Sequence, residues 1–233
     1  MLFRSWTAQP PAGVTVTPSS GTAQVTNGTA TATVSFDVAT SAPQGFKSVG
    51  LALSATPAVP LPTLTVPVAV VGPGDTATVC TTLGTTNVNN GITQQEGGDG
   101  TTTAVTVGGL SGRSTVQEVA NDLNMYFQVD PRIAHNGDFA ATVTFQYFDA
   151  GTNSWTLQYD KQGGDFYTAI GSVQNTNTNT WLTATMSLPD AAIAEAENNQ
   201  ADFRIASAAP VTVHEVTATI SGTGVLPMNL CGA

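Results

Sequence analysis

DFAATVTFQYFD, residues 138–149, is the stretch that decides the fold class. Phe139, Ala141, Val143, Phe145 and Tyr147 alternate with Ala140, Thr142, Thr144, Gln146 and Phe148. A period of two, sustained over ten residues, turns one face to a core and the other to water, as only a β-strand does. The same period recurs on both sides. NMYFQVD sets Met125, Phe127 and Val129 against Tyr126, Gln128 and Asp130. AGTNSW joins the decisive strand to WTLQYD as a hairpin, with Gly151 and Asn153 as turn residues. NTNTNTWLTATMSL is a polar turn leading into a strand, and ADFRIASA and VTVHEVTATISG complete the set. The segment PDAAIAEAENNQ, residues 189–200, predicts the one short helix: Pro189 suits a first turn, Asp190 the N-terminal end, and alanine favours helix.

Moving toward the N-terminus, the composition changes at VVGPGD, where Gly72, Pro73 and Gly74 form a linker. Residues 1–73 carry Arg4, Lys47 and Asp37, a net +1, and nine of the thirteen prolines. Residues 74–233 carry the remaining four basic and fifteen acidic residues, a net -11. Two domains are therefore expected, 1–73 and 75–233. The first is also strand. Ala30, Ala32, Val34, Phe36 and Val38 alternate with polar residues, as do Val49, Leu51 and Leu53, then Leu64, Val66, Val68 and Val70. With Val14–Val16 and Gln24–Val25, about five strands result. From Trp6 onward the text reads as the interior of a domain already under way.

The 233 residues are 9% charged, 41% apolar and about one-sixth threonine, with a formal net charge of -10. That composition excludes a coiled coil, a helical bundle and a basic nucleic-acid binder. The longest uncharged stretch in which valines and leucines dominate is broken by Pro57, Pro60, Pro62 and Pro67, so no membrane helix is expected. MLFRSW has no apolar run of a signal peptide. The only cysteines, Cys80 and Cys231, bracket the second domain and pair as a disulfide unless both remain buried thiols; with little lysine and much threonine and asparagine, this places the chain outside the cell.

No nucleophile elbow, zinc-protease helix or phosphate loop occurs, and no catalytic residue is assigned. His135 and His214 are the only histidines. Asp130, Asp149, Asp160 and Asp165 lie at strand ends, where they serve turns or, in pairs, glycoside hydrolysis. NGITQQEGGDGTTT brings Glu96 and Asp99 into a Gly-rich loop with carbonyl oxygens, which suits a structural calcium ion completed by Asp202 or Glu215. A sugar ring needs flat aromatics beside amide, carboxylate or guanidinium groups. Trp155, Phe166 and Tyr167 lie at loops, and Tyr126, Gln128, Arg132 and Gln158 on or near the same strands. Trp181 reads as core.

PPAGVTVTPSSG, ATATVSFDVATSAPQGFKSVGLALSA and PTLTVPVAVV resemble the immunoglobulin-like accessory domain of bacterial alpha-galactosidases and related secreted glycosidases, over residues 6–71. The resemblance implies a partial sandwich whose first strands lie upstream of Met1. NGITQQEGGDGTTTAVTVGGLSGRST, MYFQVD, VTFQYFDAGTNSWTLQYD and WLTATMSLPDAAIAEAENNQADFRI resemble the calcium-containing jelly-roll carbohydrate-binding modules of large secreted bacterial glycoside hydrolases. The expected architecture is all-β, an immunoglobulin-like partial sandwich followed by a jelly-roll β-sandwich with one short helix. The resemblance implies a non-catalytic module that binds a poly- or oligosaccharide and serves the catalytic domain of a parent chain. The net charge of the second domain favours a neutral glycan. A structural spacer or adhesion segment, and a small glycosidase or lyase, are the alternatives.

Overall fold

A computed structural model describes residues 3–27, 29, 31–39, 41–43, 45–56, 58, 61–72, 74–117 and 122–232. Ala30 of the first alternating run, and Pro57, Pro60 and Pro73, lie outside them. The chain forms two compact units, Met1–Val71 and Gly72–Ala233.

Unit 1 holds β1 (Phe3–Gln9), β2 (Val14–Thr17), β3 (Ser20–Gln24), β4 (Ser35–Val38), β5 (Gly45–Thr56) and β6 (Leu64–Val70). Its four-stranded sheet runs β3-β1-β5-β6, and β2 pairs with β4 in a separate ribbon. The small core joins both layers: Val14 and Val16 from the ribbon meet Val49 and Val70 from the sheet. Two differences from the five expected strands appear here. The opening residues contribute β1, which sits between β3 and β5 and pairs Trp6 with both Gly21 and Leu53. Of the described part of the first alternating run, 31–38, only Ser35–Val38 forms strand, and Phe36 and Val38 are exposed. Alternation fixes which residues share a face, but that face is covered only if a second layer reaches it.

Unit 2 holds β7 (Thr76–Thr82), β8 (Val88–Asn90), β9 (Ile92–Gln95), β10 (Thr102–Val107), β11 (Leu110–Thr115), β12 (Leu123–Val129) and β13 (Phe139–Phe148). These are followed by β14 (Ser154–Tyr159), β15 (Thr168–Gln174), β16 (Trp181–Ala191), β17 (Phe203–Ser207), β18 (Thr212–Gly222) and β19 (Met228–Asn229). The larger sheet runs β10-β11-β18-β13-β16, with β7 also on β18 and β8 and β19 on β7. The smaller runs β15-β14-β17-β12-β9. The inward residues of the decisive strand, β13, are all buried, and they meet those of the smaller sheet in one core. Phe145 lies 6.0 Å from Phe127 and 5.6 Å from Trp155, ring centre to ring centre. The molecule is all-β and unit 2 is a β-sandwich.

The segment 189–200 is not an α-helix. β16 continues through Pro189 to Ala191, and only Asn198–Gln200 makes a 3-10 turn. Its residues are instead caught from a distance. The Asp160 carboxylate accepts the Ala194 N–H at 3.1 Å, and that of Asp202 accepts the Glu195 N–H at 2.8 Å. Ile193, just before those anchors, and Glu195, at the second of them, take left-handed backbone conformations, which no right-handed helix tolerates. Tertiary capture overrides a helical propensity worth tenths of a kcal/mol per residue, in rough terms.

Cys80 and Cys231 form the disulfide, their Cα atoms 5.8 Å apart. It ties β7 to the tail beside its parallel partner β19. Closing a loop with a sequence separation of 151 contributes about 5 kcal/mol in the chain-entropy account.

Candidate functional site

The outward residues of the smaller sheet fall into rows because neighbouring strands are in register. One row reads Gln95, Tyr126, Arg204, Gln158 and Ala169 across β9, β12, β17, β14 and β15. The next reads Asn124, Ala206, Thr156 and Ser172. The inward partners of these strands, such as Phe127, Ile205 and Leu157, are locked in the core, so the row is rigidly held.

Arg204 organises the row. Its Nε donates to Gln158 Oε1 at 2.7 Å and its Nη1 donates to the Tyr126 hydroxyl at 2.6 Å. Tyr167, at the entry to β15, lies over the guanidinium, 3.9 Å from ring centre to Cζ, and the Tyr126 ring flanks it at 5.5 Å. A planar cation stacked on an aromatic face is favourable by about 0.5–2 kcal/mol, and it fixes both groups. Asp99 accepts hydrogen bonds from the Tyr126 hydroxyl and from Asn124 Nδ2, at 3.1 and 2.9 Å, and lies 3.9 Å from Arg204. Burial pushes the Tyr126 hydroxyl well above the usual tyrosine range, so it stays protonated and can donate.

Two loops border the row. Gly97–Gly100 brings Asp99 to it, and its close approach explains a glycine: a Cβ on Gly100 would lie 2.3 Å from the Tyr126 ring. The loop at 192–201 brings Asn198, whose N–H donates to the Tyr167 hydroxyl at 3.0 Å, and Asn199, which donates to Gly97 O at 3.0 Å. Gln95 donates to Gln128, and Gln128 to Glu195. The result is a polar floor walled by Tyr167, with Phe166 beside it 54% exposed.

Of the residues expected to meet a ligand, Gln128, Gln158 and Tyr167 therefore converge on this face and Phe166 borders them; Tyr126 lies beneath them, 0% exposed, and braces Arg204 instead of meeting a ligand. Arg204 was missed, although its place between inward Phe203 and Ile205 marks it as outward. Trp155 does not belong here. It is 0% exposed, wedged edge-on against Phe145 and Tyr147, because β14 turns Trp155, Leu157 and Tyr159 inward. Arg132 lies apart in the turn after β12, where it forms an exposed ion pair with Asp130. Trp181 is half-buried on the outer side of its sheet, not in the core.

The carboxylates have other partners. Glu96 pairs with Arg113 at 2.7 Å and accepts the Thr102 N–H; Asp99 serves Tyr126 and Asn124; Asp202 accepts the N–H groups of Val129 and Glu195. Among the described residues no three His, Cys, Asp or Glu side chains are grouped to hold a metal ion. Glu96, Asp99 and Asp202 thus do not fit a shared calcium site, each facing a cation or a donor N–H. Asp149 is a turn brace: it accepts N–H and hydroxyl donors from Thr176 and Thr178, and the Thr178 hydroxyl leads in holding it below the usual carboxylate range. Asp160 is buried, and its burial raises it.

No family model and no curated protein matches the chain. Among solved structures, it is similar to the C-terminal family 6 carbohydrate-binding module of a laminarinase from Zobellia galactanivorans: 13% identity, 55% of this chain, 98% of that one, TM-score 0.34. It is similar to the C-terminal family 22 module of a Clostridium thermocellum xylanase, with 14% identity, 57% and 87% coverage and a TM-score of 0.35. A family 29 module from Piromyces equi gives 10% identity, 61% and 90% coverage and a TM-score of 0.37. At these values the likeness decides nothing about function. Among the described residues, no helix is long and apolar enough to cross a membrane.

Proposed function

We propose that unit 2 is a carbohydrate-binding module without catalysis of its own, taking a neutral poly- or oligosaccharide on the outer face of its smaller sheet. The observation that carries the reading is the Tyr167–Arg204 stack at 3.9 Å, set in a row of hydrogen-bonding side chains. A sugar ring presents apolar C–H faces and a hydroxyl rim. Tyr167 and Phe166 offer the first an aromatic surface, and Gln158, Gln128 and Arg204 offer the second donors and acceptors. The net charge of unit 2 repels polyanions, which favours a neutral glycan.

The disulfide suits a secreted protein, and a module of this kind serves the catalytic domain of a bacterial glycoside hydrolase by holding it at its polymer. In that reading unit 1 is the immunoglobulin-like accessory domain. Affinity electrophoresis through gels containing xylan, β-glucan, mannan or laminarin tests the reading. The expected result is retardation by at least one polymer, reduced about tenfold in apparent affinity by Tyr167→Ala, the loss of one aromatic anchor. Retardation that survives Tyr167→Ala unchanged would remove the site from this face.

A further inference from the structure

We propose that the outer face of the larger sheet is a second saccharide-binding site, so that unit 2 is bivalent. Only the ligand class rests on the carbohydrate-binding reading; the site stands on its own geometry. The strands β7, β18, β13 and β16 are in register, and outward residues line up in rows across them. One row reads Thr82, Glu215, Gln146 and Thr183, and the next Cys80, Thr217, Thr144 and Thr185. Thr144, Gln146, Thr183, Glu215 and Thr217 line a depression of about 270 Å³ between them. All five are polar, and all sit on strands whose inward residues, such as Phe145, Val216 and Ala218, are buried.

An aromatic border stands at one end of this floor. Phe148 follows Gln146 on the same face of β13, and Trp181 precedes Thr183 on the same face of β16. Residues two apart on a strand are about 6.5 Å from each other. Phe148 and Trp181 meet edge-on, ring centres 5.3 Å apart, and Trp181 meets His214 at 5.7 Å. The indole is fixed by its N–H donating to Val107 O at 3.0 Å, from the tip of the β10–β11 hairpin. Phe148 and Trp181 are half-buried, while Thr183 and Thr185 are exposed. Hydroxyl, amide and carboxylate groups on a rigid floor beside an aromatic edge are what a sugar ring requires. The lone carboxylate, Glu215, accepts the Thr217 hydroxyl at 3.3 Å and can accept sugar hydroxyls. A positively charged side chain is not among the lining residues, so a neutral saccharide is the class it takes.

The two sites lie on opposite faces of one sandwich, which positions them to hold two separate polymer chains. Xylohexaose, cellohexaose and laminarihexaose are titrated calorimetrically, in turn, into the intact protein. For the hexamer that binds, the proposal expects two equivalents per chain. The double variant Gln146→Ala/Glu215→Ala, which touches only exposed-face groups and keeps Trp181 in place, retains one. Tyr167→Ala also retains one, and the variants combined retain none. A single equivalent that Gln146→Ala/Glu215→Ala leaves unchanged overturns the second site and leaves the first standing. A single equivalent lost in that double variant but kept in Tyr167→Ala supports the second site and overturns the first. Silence with all three hexamers, at concentrations up to solubility, overturns the second site for these neutral glucans and xylan.

Discussion

Trp155→Ala is expected to lower the stability of unit 2 by about 3–5 kcal/mol, the cost of emptying a large aromatic site in a closed core. For a unit of this size that is a fall of roughly 10 °C in melting temperature. The side chain is fully buried and packs edge-on against Phe145 and Tyr147, with centroid distances of 5.6 and 5.4 Å. Its contribution is apolar, because the indole N–H finds no acceptor among the described residues. Trp155→Phe should therefore cost much less than Trp155→Ala: it keeps most of the packing and removes an unpaired buried donor. Thermal unfolding of the two variants checks this order. A Trp155→Ala protein that melts like the parent and has lost glycan binding would place the indole on the surface after all.

The second large effect is on the alkaline side of the stability profile. Glu197 is 4% exposed, and among the described residues neither carboxyl oxygen has a hydrogen-bond partner. Burial pushes it up to about 9, partly offset by Arg204 and reinforced by Asp202 and Asp160. Asp202, also buried, is pushed up to about 7 by desolvation against the N–H groups of Glu195 and Val129 that hold it. A carboxyl raised in the folded state contributes stability that is complete below its unfolded value and is lost as pH rises toward the folded value. For Glu197 the window runs from 4.5 to about 9, and for Asp202 from 3.8 to about 7. Asp149, Asp130 and Asp190 are lowered, so their contribution is present above the ordinary carboxylate range and lost on acidification. Stability should peak in mild acid and fall toward pH 9. Each proton held only by the folded state is worth about 1.4 kcal/mol per pH unit. Glu197→Gln keeps the shape and cannot ionise, so it should flatten the profile above pH 7. Denaturant unfolding from pH 5 to 9 reads the slope directly; equal slopes in parent and variant would show that Glu197 ionises freely in the folded protein.

How far the sequence could be read varies with how local the deciding force is. In β13 the strict alternation from Phe139 to Tyr147 has one physical outcome, a half-buried strand, and it forms. Tyr126, Gln128 and Gln158 were legible for the same reason: each alternates with core residues on its strand, so each points outward to one face. The same rule, applied to Trp155, Leu157 and Tyr159, already places the tryptophan inside; its nearness to a turn obscured that. Arg204 was equally readable, but only strand register sets it between Tyr126 and Gln158. The segment 189–200 misleads because its local signals are helical while Asp160 and Asp202, which capture it, lie outside it at the ends of β14 and β17. Glu96, Asp99 and Asp202 fail as a group for the reverse reason: each finds its own partner once the sheets form.

The central claim is that the outer face of the smaller sheet binds a glycan. Its most direct test follows backbone amide resonances of isotope-labelled protein during titration with the neutral oligosaccharide that best matches the retarding polymer. The account predicts saturable shifts concentrated at Gln158, Tyr167, Ser172 and Arg204, with the buried amides around Val143 and Ile220 unmoved. Saturable binding that leaves all four of those amides in place would contradict it.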